Sequence, residues 1–315
     1  MKRWKILVSA PYAMPVIERY RSELEAADCE IVVPEVFERL EAEDLLRYVG
    51  DVHGIICGDD RITTRVLDAA PKLRVISKWG TGIDSIDSAA AAERGIRICN
   101  TPNAFSEPVA DTAVGYMLQF ARRLDQCTTE MRAGIWSKPQ LTSLGECTVG
   151  IVGVGNCGRA VARRLVAFGS RILGHDLRPI PPDVISEAGL ESVSLEYLLR
   201  NADFVTLHTD LNPTSFHLMG EAQLNMMKPT SYLINTARGP VIDESALIAA
   251  LRAGSLAGAA LDVFEDEPLP DSSPLRTFSN VQLAPHTANN SPRAAECVHA
   301  NTIRNLLNVL VQTQE

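Results

Sequence analysis

Three segments of the chain each place one chemically capable side chain just after a short apolar run. Asn235-Thr-Ala-Arg238-Gly239-Pro240 brings an arginine, an always-charged planar fork suited to a carboxylate. Asp262-Val-Phe-Glu-Asp-Glu267-Pro268 brings carboxylates, and Ala284-Pro285-His286-Thr287 brings an imidazole. An arginine, a carboxylate and a histidine thus reach the same edge of one sheet. Taken singly, Arg238 reads as a surface ion pair, Glu267 as a solvated turn acid and His286 as a satisfied loop imidazole. Their recurrence at corresponding strand ends, where open α/β sheets bind ligands, favours one shared site.

A second signal is Thr148-Val-Gly-Ile-Val-Gly153-Val-Gly155-Asn156-Cys157-Gly158, a strand that runs into G-x-G-x-x-G. The helix that follows turns Val161, Ala162, Leu165 and Phe168 inward and Arg159, Arg163 and Arg164 outward. Gly153 allows the tight turn, Gly155 lets the backbone approach a pyrophosphate, and Gly158 lets helix and strand pack closely. The first helical amides, at Asn156 and Cys157, then face phosphates. Asp176 ends the next strand 18 residues after Gly158. An acid there accepts both ribose hydroxyls of NAD and repels the 2′-phosphate of NADP. Methyltransferases also place an acid at that point, so this motif alone leaves hydride transfer open.

Short apolar runs alternating with amphipathic stretches must position these groups, the pattern of βαβ units and parallel sheets. One strand series is expected at Ile6–Ser9, Glu30–Val33, Gly54–Cys57, Arg74–Ser77 and Arg97–Cys99. A second is expected at Thr148–Val152, Arg171–His175, Phe204–His208, Tyr232–Asn235, Gly258–Asp262 and Val281–Ala284. Helices are expected over Ile83–Arg94, Leu195–Asn201, Phe105–Leu124 and Ser291–Val311. With Val298, Ile303, Leu306 and Leu310 on one side, the last should return to the first domain. The fold class is therefore α/β, two Rossmann-like or flavodoxin-like domains with an active site in the cleft between them. Residues 1–101 and 289–315 form the substrate domain and 102–288 the dinucleotide domain.

The 315 residues, 46% apolar and 22% charged, exclude a disordered or low-complexity chain. Thirty Lys and Arg against 39 Asp and Glu give a net charge of −9, which argues against binding nucleic acid or anionic membrane through bulk charge. Seven cysteines without a C-x-x-C pair suggest buried thiols in a reducing, cytoplasmic compartment. Met1 to Ala10 faintly imitates a signal peptide, but Pro11 and Pro15 interrupt it, and a first strand is the better reading. No apolar run reaches the roughly 18 residues of a membrane helix. The histidines form no H-x-H or H-E-x-x-H pair, so no metal site is expected.

At this point the chain resembles the D-isomer-specific 2-hydroxyacid dehydrogenases. The likeness runs from about Gly54 to the final helix. It includes Lys78-Trp-Gly80-Thr81-Gly82-Ile-Asp84-Ser-Ile-Asp87, Thr101-Pro102, Val109-Ala110-Asp111, the glycine motif and the three segments above. Within the family it looks most like the phosphoglycerate dehydrogenase branch without an added C-terminal regulatory domain. The resemblance implies NAD as cofactor, a D-2-hydroxy or 2-keto acid as substrate, and a homodimer built on the Phe105–Leu124 helix. It makes His286 the acid/base that protonates the carbonyl oxygen as hydride arrives. Glu267 becomes the partner that orients the imidazole and raises its pKa, and Arg238 the clamp on the substrate carboxylate. Backbone amides of Gly80, Thr81 and Gly82 would cradle that carboxylate. Asp262 would bond the nicotinamide carboxamide, with Thr236, Ala237 and His208 along the cofactor.

Two departures stand out. Asp210 replaces a usual proline, and Asn289-Asn290-Ser291 replaces a usually glycine-rich stretch. Neither touches the trio, so they bear on the substrate and not on the reaction type. Candidates for the acid are phosphoglycerate and small acids such as glyoxylate or hydroxypyruvate. Lys78 reads equally as a second-anion binder, for instance of a phosphate, and as a solvated lysine at a strand end. The competing function is an NAD-sensing, corepressor-like binding protein on the same fold.

Overall fold

A computed structural model of the chain describes residues 4–312; Met1–Arg3, the start of the signal-like stretch, lie outside the described residues. Five parallel strands, β1 (Trp4–Val8), β2 (Cys29–Val32), β3 (Gly54–Cys57), β4 (Val75–Lys78) and β5 (Arg97–Cys99), form one sheet in the order β2-β1-β3-β4-β5. The second-sheet strands are β6 (Thr148–Val152), β7 (Arg171–His175), β8 (Glu191–Ser192), β9 (Phe204–Leu207), β10 (Tyr232–Asn235), β11 (Gly258–Leu261) and β12 (Val281–Leu283). Their order is β12-β11-β10-β9-β6-β7-β8, again all parallel. Parallel strands covered on both faces need uninterrupted apolar runs, and β3, β9 and β11 are buried throughout. The first order is flavodoxin-like and the second is doubly wound about β6.

The contacts separate one unit, up to Phe105 and again from Ser291, from a second unit, Ser106–Asn290. The sequence placed these boundaries at 101/102 and 288/289. Residues 101–105 stay with the first unit because the Thr101 amide donates to the Gly80 carbonyl at 2.9 Å and the Phe105 ring lies 5.7 Å from that of Trp79. The final helix, Pro292–Gln312, also belongs to the first unit, with Val298, Ile303, Leu306 and Leu310 buried. The Ser77 hydroxyl donates to its Thr302 carbonyl at 2.8 Å.

In the second unit the Ser106–Arg122 helix packs on the Asn156–Phe168 helix. Arg164 ties them together through Glu107 and Asp111, at 2.8 and 2.7 Å. Three expectations need correction. The helix expected over Phe105–Leu124 stops at Arg122, because Arg123 takes φ 49° and a new helix, Leu124–Arg132, starts after it. The Ile83–Arg94 helix shrinks to Ser88–Glu93: Ile86 bridges to Ile62, and the Asp87 carboxylate caps the Ala90 amide. Phe168, assigned inward, is exposed at the end of its helix. Among the described residues, no helix is long and apolar enough to cross a membrane.

Candidate active site

The strand registers put His175, Val152, Leu207, Asn235, Leu261 and Leu283 in one row across six strands of the second sheet. Asp176, Gly153, His208, Thr236 and Asp262 each follow this row by one residue, and Arg238 and His286 by three. The glycine loop leaves β6 where the sheet order reverses, with β7 and β8 on one side and β9 to β12 on the other. Such a switch point opens a crevice at the strand ends.

Packing explains two of the three glycines. Gly153 has φ 90°, and a Cβ there would stand 2.6 Å from the His208 carbonyl. A Cβ on Gly158 would stand 2.1 Å from the Gly153 carbonyl oxygen. A Cβ on Gly155 would meet nothing within 4 Å, so the chain's own packing does not demand that glycine. Gly155 caps the Asn156–Phe168 helix with no side-chain bond to the first amides, leaving donors suited to a phosphate. Asn156 is exposed; Cys157 is half-buried, its Sγ 3.7 Å from Ser106 Oγ, and burial pushes its thiol pKa up. Asp176 accepts the Val154 amide at 2.9 Å and the Arg178 amide at 3.0 Å, so it braces the loop from the next strand.

Beyond β9 and β10 lie polar atoms that the protein leaves unsatisfied. Among the described residues, His208 Nδ1, Thr209 Oγ1 and Thr236 Oγ1 are shielded and make no hydrogen bond. The other ring nitrogen of His208 lies 2.9 Å from Thr206 Oγ1, and burial pushes the imidazole down to about 4. An orphaned buried polar group costs about 1–3 kcal/mol, and three on adjacent strand ends match a ligand with polar groups of its own. Together with the open Gly155, they fit a dinucleotide.

Arg238 sits on a turn built by Asn235, which the sequence reading passed over. Fully buried, Asn235 accepts the Ala237 amide at 3.0 Å and donates to the Arg238 carbonyl at 2.9 Å. The available signal was an amide closing the otherwise apolar run Tyr232-Leu-Ile-Asn235. The guanidinium is half-buried and donates to the Ala237 carbonyl at 2.9 Å. Gly239 then presses on the segment after β11: a Cβ there would stand 1.8 Å from the Phe264 carbonyl oxygen. This contact places the Arg238 turn beside the segment that carries Glu267.

Glu267 uses both oxygens. Oε1 accepts the Phe264 amide at 2.9 Å, and Oε2 lies 2.9 Å from His286 Nδ1. Both side chains are partly buried, at 21% and 27% exposure, so the pair is shielded but reachable. Asp262 is 1% exposed, and its two oxygens accept the amides of Thr287 and Ala288, each at 2.8 Å. The resemblance gave Asp262 to the nicotinamide carboxamide; the geometry shows it holding the histidine's loop. Of the two departures, Asp210 offers its carbonyl to the Ser215 hydroxyl, and the Asn290 amide closes a turn on the Thr287 carbonyl at 2.9 Å.

In the first unit, Gly80 has φ 133°, open to glycine alone. The turn after it is pinned by Asn100, whose amide donates to the Thr81 carbonyl at 2.6 Å, and by the Thr81 hydroxyl, which donates to the Thr101 carbonyl at 3.1 Å. Among the described residues, no acceptor takes the backbone amides of Gly80, Thr81 or Gly82. Lys78 is not a solvated lysine. It is 3% exposed and paired with Asp59 at 2.6 Å.

Residues 114–288 match the family model for the NAD-binding domain of D-isomer specific 2-hydroxyacid dehydrogenases. The chain is 41% identical to a glyoxylate reductase of Thermofilum pendens over 290 residues, 90% of this chain and 86% of that protein. It is 38% identical to a D-3-phosphoglycerate dehydrogenase of Methanocaldococcus jannaschii, across 88% of this chain and 54% of that one. The D-lactate dehydrogenase of Aquifex aeolicus, solved with NAD and lactic acid, superposes with a TM-score of 0.89 at 26% identity, covering 98% of this chain and 96% of that one. With the family model matched over more than half of the chain and a relative 41% identical over nine-tenths of it, the chain belongs to the D-isomer specific 2-hydroxyacid dehydrogenase family and is an NAD-dependent oxidoreductase.

Proposed function

We propose that the enzyme reduces a short 2-keto acid to the D-2-hydroxy acid, and runs the reverse reaction, with Arg238, Glu267 and His286 as its catalytic residues. The observation that carries this reading is the 2.9 Å contact between His286 Nδ1 and Glu267 Oε2. That bond orients the ring, and Nε2 is the nitrogen that exchanges a proton with the substrate oxygen. Arg238 holds the substrate carboxylate and polarises the carbonyl, and the amides of Gly80, Thr81 and Gly82 also bind the carboxylate. Bound NAD(H) supplies or accepts the hydride. The Asn156 and Cys157 amides hold its pyrophosphate, Asp176 its ribose, and His208, Thr236 and Ala237 line it. A role limited to sensing NAD would leave the Glu267–His286 pair without a use.

The experiment is NADH oxidation by purified protein with glyoxylate, hydroxypyruvate, pyruvate and 3-phosphohydroxypyruvate. Turnover with at least one acid that is lost in His286→Ala supports the reading. NADH binding without turnover on any of them rejects it.

The working form is a homodimer in the cytoplasm. The Leu124–Arg132 helix buries no residue, and Leu124, Met131, Ile135 and Trp136 stand 50–76% exposed in and just after it. Four large apolar side chains left exposed within one short segment are what a second copy covers. Analytical ultracentrifugation of wild type and Trp136→Ser tests it, with a dimer expected to weaken in the variant.

A further inference from the structure

Lys78 closes β4 at a depth where lysine is rarely found unpaired. Its ammonium donates to the Gly58 carbonyl and to Asp59 Oδ1. The loop that receives it is itself rigid. Asp60, fully buried, accepts the Ser9 hydroxyl and the Leu40 amide, each at 2.6 Å, and the Gly58 amide at 3.2 Å. Lys78 Cε lies 3.7 Å from where a Cβ on Gly80 would stand. The cation packed against the Gly80–Gly82 turn therefore commits its charge to the Gly58–Asp60 loop.

We propose that Asp59 is a specificity-determining residue: by neutralising Lys78, it makes the enzyme select 2-keto acids that carry no phosphate. The proposal rests on the reading above that the Gly80–Gly82 amides receive the substrate carboxylate. A phosphate monoester brings a charge of about −1.5 to −2 and needs unpaired cationic donors to offset its desolvation. A lysine held by a carboxylate presents a neutral pair, with its charge already committed when a phosphate arrives. Arg61 is the loop's other cation; its backbone amide donates to the Leu40 carbonyl at 3.0 Å, past the buried Asp60.

The test is steady-state kinetics with hydroxypyruvate and 3-phosphohydroxypyruvate for wild type, Asp59→Asn and Arg61→Gln. Wild type should favour hydroxypyruvate by at least about 10²-fold in kcat/KM, the scale of a charged group desolvated without an unpaired partner. Asp59→Asn keeps the shape and an acceptor for Lys78 but removes the charge. It should narrow that ratio about tenfold, mainly through KM for the phosphorylated acid. Arg61→Gln should leave the ratio in place. A wild-type preference for the phosphorylated acid, an unchanged ratio in Asp59→Asn, or an Arg61→Gln loss confined to the phosphorylated acid overturns the proposal. Product inhibition of wild type applies the same test without a variant. 3-Phosphoglycerate should compete with hydroxypyruvate more weakly than D-glycerate does, and equal or tighter inhibition overturns the proposal. Absence of NADH oxidation with either acid, with glyoxylate and with pyruvate overturns the dehydrogenase reading itself, a result distinct from turnover with reversed preference.

Discussion

The Asp262 side chain holds the backbone that presents His286. The Asp262 carbonyl accepts the His286 amide at 2.8 Å, while its carboxylate oxygens take the next two amides along the chain. Three bonds from one residue hold His286 at φ 52°, a left-handed conformation that side-chain-bearing residues seldom adopt. The Glu267 bond then sets the ring and the Asp262 bonds set the main chain.

Replacing Asp262 by Asn turns one acceptor oxygen into a donor facing an amide. One of the Thr287 and Ala288 amides loses its partner, which should destabilise the second unit by about 1–3 kcal/mol. kcat should fall more than NADH affinity, since the histidine loses its fixed loop. Intact kcat together with collapsed NADH binding, measured by fluorescence titration, would instead make Asp262 chiefly a cofactor contact.

Much of this arrangement was legible in the sequence, for identifiable reasons. Strands β3, β9 and β11 are runs of four buried residues, and only Thr206 among them is polar, so their apolar content marks them. Glu191–Ser192 is a strand of two exposed residues, and no pattern could reveal it. Gly153, Gly155 and Gly158 announced the glycine loop through their spacing. Asn235 and Asp60 did not announce themselves, because their value lies in backbone amides that folding brings within reach. Lys78 could be placed at a strand end, but its partner Asp59 is 19 residues earlier and meets it only through the pairing of β3 with β4.

Arg238→Lys should lower kcat/KM by about 10²–10³-fold, the scale of a lost transition-state donor. An ammonium keeps the charge but cannot make two parallel bonds to a planar carboxylate. NADH affinity should survive, because Asn235 builds the turn without the guanidinium. Near-normal kcat/KM in the Lys variant would remove Arg238 from the clamp role.

Wild type should prefer NADH over NADPH. Asp176 is held against the glycine loop by the Val154 and Arg178 amides, so a 2′-phosphate would approach a fixed carboxylate. Arg178 is 86% exposed and 4.0 Å from Asp176, close enough to soften the repulsion, so selectivity should be moderate. Equal kcat/KM with the two cofactors would contradict this role.

His208 should leave a mark on the pH dependence of stability. Burial takes it from 6.5 to about 4, so it is neutral in the folded chain while the unfolded chain takes up a proton. Its contribution is complete above 6.5 and is lost as pH falls from there toward 4. Asp262 acts with the opposite sign: burial raises its carboxyl pKa, so stability declines as pH rises from the ordinary carboxylate value through the raised one. Melting curves of wild type and His208→Gln across the acid range isolate the histidine, since Gln keeps a partner for Thr206. The variant should show the flatter acid side; parallel curves would mean that His208 is not buried neutral.

Glu267→Gln tests the acid–base pair most directly. A carboxylate on Nδ1 favours the imidazolium, the form that donates a proton to the forming alkoxide in reduction. Reduction should therefore fall as pH rises through the histidine's titration, and oxidation, which needs the neutral ring as base, should rise over the same range. Gln preserves shape and can still bond the Phe264 amide, but it withdraws the charge. The midpoint of the reduction profile should move to lower pH, with activity persisting in acid and weakened at neutrality. His286→Ala should lose about 10²–10⁴-fold in kcat at every pH while NADH still binds. The measurement is the pH profile of kcat/KM in both directions for wild type and Glu267→Gln. Coincident midpoints would show that Glu267 orients the ring without setting its charge.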